Sequence, residues 1–248
     1  VIEWVEVDGI AVLTLARPPV NALDVDLSAA VADGLRGPNL DGARAVVLTG
    51  AGRAFSAGVD LHRVVAGGAD YARRLLPALA EMFRTAFTLP MPLVAAVNGH
   101  AIAGGCVLAA CADVVLMSEG RIGLPEVRVG VPFPRSAVEV MRHAVGDVAA
   151  RRLILGAETM SPADAAALGL VDRVVAAADL QAAAHAAAAE FADRMPADTF
   201  AHTKAQLQRD AVARMDAQVD EDIAAAELWA ERVRDGRIAG YMQAVTGR

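Results

Sequence analysis

Lysine is almost missing from this chain: Lys204 is the only one, and the rest of the basic charge is arginine. Together with the many alanines, this points to high-G+C coding and not to a binding function. Cysteine is nearly as scarce. Cys106 and Cys111 stand five positions apart in an apolar stretch and match no metal-ligand spacing. That excludes a disulfide framework or a cysteine-based metal centre, and two buried, reduced thiols are expected. Basic residues number 23 against 30 acidic ones, a net charge of −7. This balance argues against nucleic acid or an anionic membrane as the main partner, though not against a small anion held locally. Residues 1 to 6 show no basic segment followed by an apolar run, so no signal peptide is readable and a cytoplasmic protein is expected. The most apolar stretch, Leu93 to Met117, is interrupted by Asn98, His100 and Asp113. It reads as buried strand, turn, helix and strand, not as a membrane span.

What is present suits a sizeable core. Hydrophobic residues make up 55% of the 248 positions and charged ones 21%, enough for one large domain or a domain with an appendage. Ile2 to Val7 and Ile10 to Leu15 form a hairpin around Asp8-Gly9. Asp24 or Asp26 can cap a short helix reaching about Leu35. A strand at 45–49 follows, then a long helix from about Asp70 to Leu89 with Leu75, Leu79, Met82, Phe83 and Ala86 on one face. Strands are expected at 93–97, 114–117, 121–123 and 171–175. Three helical pieces from about Val138 to Leu168 break at Gly146-Asp147 and Gly156. From Asp179 onward the pattern is entirely helical. The expected organisation is a mixed core over 1–180 followed by a helical region over 181–248.

Two glycine-punctuated loops carry the functional signal. Gly50-Ala51-Gly52-Arg53-Ala54-Phe55-Ser56-Ala57-Gly58-Val59-Asp60-Leu61 follows the strand Ala45 to Leu48. Asn98-Gly99-His100-Ala101-Ile102-Ala103-Gly104-Gly105-Cys106 follows the strand Leu93 to Val97. A strand that ends in glycines and turns into a helix leaves backbone N–H groups free at the helix start. Two such ends facing each other could stabilise an enolate or a tetrahedral oxyanion.

These loops, with Gly123-Leu124-Pro125-Glu126, Arg17-Pro18 before Asn21-Ala22-Leu23, and Ala166-Ala167-Leu168-Gly169-Leu170-Val171, resemble the crotonase, or enoyl-CoA hydratase/isomerase, superfamily. The likeness runs in order through nearly the whole chain up to about Val175. It implies an α/β fold built as a ClpP-like spiral of ββα turns, with C-terminal helices that pack trimers or hexamers. It implies an acyl-CoA thioester as substrate, coenzyme A being part of that substrate with no cofactor tightly bound and no metal. By the resemblance, Val59 and Gly104 supply the two backbone N–H groups of an oxyanion hole, where losing one donor costs roughly 3–4 kcal/mol of transition-state stabilisation. Glu126 falls where the family places its acid–base, with a helix-dipole or Arg128 interaction as the structural alternative. Ala22, Ala54, Ser56, Ala57, Asp60, Leu61 and His62 fall along the coenzyme A site, and Arg17 or Arg53 could meet phosphates. Asp60 also suits a helix cap, and Asp113 suits a brace for the following strand.

One departure bears on the reaction. Hydratases of the family carry a second glutamate two residues past the last glycine, where this chain has Val107. Ala103 replaces the first glycine of the triplet. One carboxylate suffices to move a proton between C2 and C4 of an acyl thioester, so enoyl-CoA isomerisation is expected ahead of hydration. A non-catalytic acyl-CoA binding protein is the alternative from another class. A Clp-type serine protease shares the spiral but needs a serine after the second loop, where Gly105-Cys106-Val107 stands.

Overall fold

A computed structural model of the chain describes residues 1–217 and 219–246. β1 (Ile2–Val7) and β2 (Ile10–Leu15) form an antiparallel hairpin. Both turn residues, Asp8 and Gly9, have positive φ, as a type I′ turn requires. α1 (Val25–Gly34) starts at Asp24, whose carboxylate accepts the Leu27 N–H at 2.7 Å. Three strand–strand–helix turns follow. The first is β3 (Ala45–Gly50), β4 (Ala54–Ser56) and α2 (Leu61–Phe87). The second is β5 (Leu93–Val97), β6 (His100–Ile102) and α3 (Gly104–Ala110). The third is β7 (Val114–Met117), β8 (Ile122–Gly123) and α4 (Glu126–Val129). Then come α5 (Arg135–Gly156), β9 (Thr159–Met160), α6 (Pro162–Leu168) and β10 (Arg173–Val174). The chain closes with α7 (Leu180–Arg194), α8 (Ala197–Ala217), α9 (Val219–Arg234) and α10 (Arg237–Thr246).

Each ββα turn sends its first strand to a six-stranded sheet, ordered β1-β2-β3-β5-β7-β10, and its second to a four-stranded sheet, ordered β4-β6-β8-β9. This is the expected spiral. Every residue of β3 and β5 is buried, as in a parallel sheet covered on both faces. One face meets α1 and α2 through Leu27, Val31, Leu75, Leu79 and Phe83. The other meets α7, whose Leu180, Ala184 and Ala188 lie on Val47, Val94 and Ala96.

Some boundaries differ from expectation. α2 opens with a short piece from Leu61, which Asp60 caps, as the sequence suggests for that residue, through the Arg63 N–H at 3.0 Å. At Gly68 (φ 69°, ψ −166°) the backbone leaves helical geometry, and the long second piece begins beyond it, close to the expected start at Asp70. α5 begins at Arg135, with the expected break at Gly146. β4, β6 and β9 are two or three residues long and too short to show an alternating pattern. The tail is helical as expected, but much of it packs on its own chain. α9 lies along α2, and the Trp229 indole N–H donates to the Pro132 carbonyl at 2.8 Å. Lys204, the lone lysine, is buried on α8 and meets Asp113 at 2.7 Å, while Asp113 also accepts the Leu93 N–H at 2.8 Å. Leu207 and Ile223 remain exposed on the tail. Among the described residues no helix is long and apolar enough to cross a membrane.

Candidate active site

The four-stranded sheet positions the candidate groups. β4, β6 and β8 are adjacent and parallel, with Ser56 opposite Ala101 and Ile102 opposite Gly123. Val59, Gly104 and Glu126 each follow the C-terminal end of one of these strands within three residues. The carboxyl ends of parallel strands are where such sheets gather their chemistry.

The first loop is braced by residues 17–24. The buried Asn21 donates through Nδ2 to the carbonyls of Ala51 (3.0 Å) and Ala54 (2.8 Å), so it clamps both sides of the turn. Its Oδ1 accepts the Arg17 N–H at 2.9 Å. The Ser56 hydroxyl donates to the Asn21 carbonyl at 2.8 Å and accepts the Gly58 N–H at 3.2 Å. Leu23 then makes a parallel bridge to Val59. In that bridge the flanking residues make the hydrogen bonds, so the Val59 amide faces away from Leu23.

The second loop presses against the first. A Cβ on Gly58 would lie 2.6 Å from the Ile102 carbonyl oxygen, and one on Gly105 would lie 2.5 Å from that of Ser56. No side chain fits at either point, which is why both loops carry glycine there. Ala103 takes φ 54° and ψ −125°, and its N–H donates to the Gly123 carbonyl at 2.8 Å. That bond ties the second loop to the strand leading to Glu126. Among the described residues, neither the Val59 nor the Gly104 N–H has an intrachain acceptor.

Glu126 opens α4 and is 8% exposed, and its Oε2 has no hydrogen-bond partner among the described residues. Burial pushes its carboxyl up to about 8, only partly offset by its own backbone amide. The Cys106 thiol, two residues into α3, is pushed up by burial and then by the charge of Glu126, which places the carboxylate within electrostatic reach of the second loop. Arg128 does not neutralise it; that side chain pairs with Glu158 at 3.5 Å in solvent. Glu139, the more remote carboxylate on α5, is held by Arg214 at 2.7 Å and Arg142 at 3.3 Å. Val107 is fully buried in α3.

Along the expected coenzyme A site, Ala22, Ala57, Asp60 and Leu61 are half-buried, Ala54 and Ser56 are buried, and His62 is exposed. The Ser56 hydroxyl is engaged within the loop. Arg17 does not stand free for a phosphate: it and Arg63 both pair with Asp24, which is fully buried. Arg53 is exposed and lines a cavity of about 460 Å³ with Val20, Ala54, Ala57, His100 and Ile102. The bracing by Asn21 and the pairing of Asp24 with two arginines were not expected from the sequence. The signal available was two polar side chains beside an apolar run, and long-range pairing is invisible in such a pattern.

Residues 6–238 match the family described as enoyl-CoA hydratase/isomerase. A putative enoyl-CoA hydratase of Thermus thermophilus is 40% identical over 198 residues, covering 77% of this chain and 78% of that protein. Human mitochondrial enoyl-CoA delta isomerase 1 is 29% identical over 220 residues, covering 87% of this chain and 72% of that protein. The crystal structure of human mitochondrial delta3-delta2-enoyl-CoA isomerase superposes with a TM-score of 0.90 at 26% identity, covering 99% of this chain and 98% of that one. With the spiral, the interlocked loops and the match across almost its full length, the chain belongs to the enoyl-CoA hydratase/isomerase family.

Proposed function

We propose that this protein moves the double bond of an enoyl-CoA thioester from C3 to C2, with Glu126 as its single acid–base. The Glu126 carboxylate takes a proton from C2. The charge that develops passes to the thioester oxygen, which accepts hydrogen bonds from the Val59 and Gly104 amides. The dienolate then takes the same proton back at C4, and the double bond ends conjugated with the carbonyl. Coenzyme A arrives as part of the substrate and lies along Ala22, Ala54, Ala57 and the Asp60–His62 turn.

One observation carries this reading. Four charged side chains are buried among the described residues: Asp24, Glu126, Glu139 and Lys204. Asp24 meets two arginines, Glu139 meets two arginines, and Lys204 meets Asp113. Glu126 meets no counter-charge. A buried, uncompensated carboxyl is costly to keep and matches what proton transfer near neutrality requires.

Hydration is the second reading, favoured by the Thermus relative's name. It calls for a further carboxylate to hold water, and the apolar Val107 occupies the position where the resemblance would place it. The test is to supply 3-enoyl-CoA and 2-enoyl-CoA separately and follow the absorbance of the conjugated thioester. Absorbance should rise with the first and stay constant with the second. A fall with the second at a comparable rate overturns the isomerase reading. The Glu126→Gln variant should lose about 10²–10⁴-fold in turnover.

A further inference from the structure

We infer that Leu23 is a positioning residue that holds the two proposed oxyanion donors in register, one through its backbone and the other through its side chain. This deepens the reading above and rests on it. Leu23 is fully buried. Its N–H donates to the Gly58 carbonyl at 2.7 Å, and its carbonyl accepts the Asp60 N–H at 2.8 Å. These bonds grip the peptide units on either side of Val59, which fixes the direction of the Val59 amide. The Leu23 side chain reaches toward the second loop. A Cβ on Gly104 would lie 2.8 Å from Leu23 Cδ1, so the isobutyl group already touches the backbone of Gly104. Gly104 is backed by the Phe83 ring as well, 3.4 Å from the same Cβ position. Two side chains therefore pack against the Cβ side of Gly104 at the start of α3, one of which belongs to the residue that grips Val59.

The consequence is specific. Two amides stabilise one oxygen only while their separation and directions are held, and displacement by about 1 Å at such a site costs about 100-fold in rate. The Asp24 pairs with Arg17 and Arg63 anchor the next residue of the same segment, so the brace itself is fixed at its base.

The test uses the full-length protein and the variants Leu23→Ala and Leu23→Val. Both keep the backbone bridge and remove the Cδ atoms that touch Gly104, and Leu23→Val keeps more of the core volume should the alanine variant fold poorly. Val31→Ala, a truncation of a fully buried residue on α1, serves as the stability-matched control. The readouts are the kcat and KM of isomerisation and the red shift of a bound 4-dimethylaminocinnamoyl-CoA, whose absorption moves as its carbonyl is polarised. Both Leu23 variants should lose tenfold or more in kcat with KM changed less than threefold, and should lose at least half of the red shift. Leu23→Met should restore both, and Val31→Ala should change neither while lowering Tm. A red shift and kcat that survive in the Leu23 variants overturn the coupling and leave the amide pair standing. A wild-type protein that produces no red shift overturns the amide pair and the coupling together.

Discussion

Replacing Glu126 by glutamine should stabilise the protein at alkaline pH while removing its turnover. The carboxyl is lifted from an ordinary 4.5 to about 8 by burial. At about 1.4 kcal/mol per pH unit, ionising it in the folded chain costs about 5 kcal/mol more than in the unfolded one. Below pH 4.5 both states hold the proton and the cost is absent. Between 4.5 and 8 the unfolded chain releases the proton and the folded chain keeps it, so stability falls as pH rises. Above 8 the whole cost is expressed. Glutamine has nearly the same shape and carries no charge at any of these pH values. Its amide still needs partners that Oε2 lacks, which takes back about 1–2 kcal/mol. The net gain expected at pH 9 is about 3 kcal/mol. Urea unfolding of both proteins at pH 5, 7 and 9 measures it directly, because every other titrating group cancels in the difference. The variant should lie close to or slightly below the wild type at pH 5 and clearly above it at pH 9. A difference between the two proteins that stays constant across this range would refute the reasoning, since it would mean that the carboxyl titrates alike in both states.

On the proposed mechanism the same carboxyl governs the pH dependence of turnover: kcat/KM for isomerisation should rise about tenfold per unit from pH 6 and level off near 8, and a plateau already present at pH 6 would show a base that ionises normally. Lys204→Met leaves Asp113 without its ammonium partner between α8 and the core, and urea unfolding should show a loss of about 3 kcal/mol, part of it recovered when Asp113→Asn is added. Ala103→Gly should raise stability by about 1 kcal/mol, because relief of a φ of 54° in a region that side chains avoid outweighs the added freedom of the unfolded chain. A fall in Tm for that variant would show that the alanine sits there without strain.

Sequence alone revealed what the backbone dictates locally. The strand–turn–helix order and the two glycine loops follow from short-range patterns of β-branched residues, glycines and caps, whereas the position of Glu126 comes from the family resemblance. The long second piece of α2 begins near Asp70, where its apolar face indicates, while α5 starts at Arg135, before the expected Val138. The Asp60 cap and the polar first turn of α2 lie before that face begins. Of the short strands of the second sheet, β8 falls within the expected 121–123, while β4, β6 and β9 are too short to show alternation; Val59, Gly104 and Glu126 follow the ends of β4, β6 and β8. Their pairing depends on how the spiral closes, which no local window contains.

The charged residues show where legibility ends and why. Asp24 finds Arg63 39 positions away, Glu139 finds Arg214 75 away, and Lys204 finds Asp113 91 away. Each pair forms because the fold buries one partner and desolvation would otherwise be prohibitive, so the fold's layout selects the partner and local sequence does not. Read singly, Asp24, Glu139 and Glu126 are equivalent acidic residues near apolar runs. Only after the first two have been matched to arginines does the third stand out as a buried carboxyl with no counter-charge. Motif position nominated Glu126. The satisfaction of the other buried charges separates a tolerated carboxylate from one whose isolation is kept at a cost in stability, and that cost is what the alkaline unfolding experiment measures.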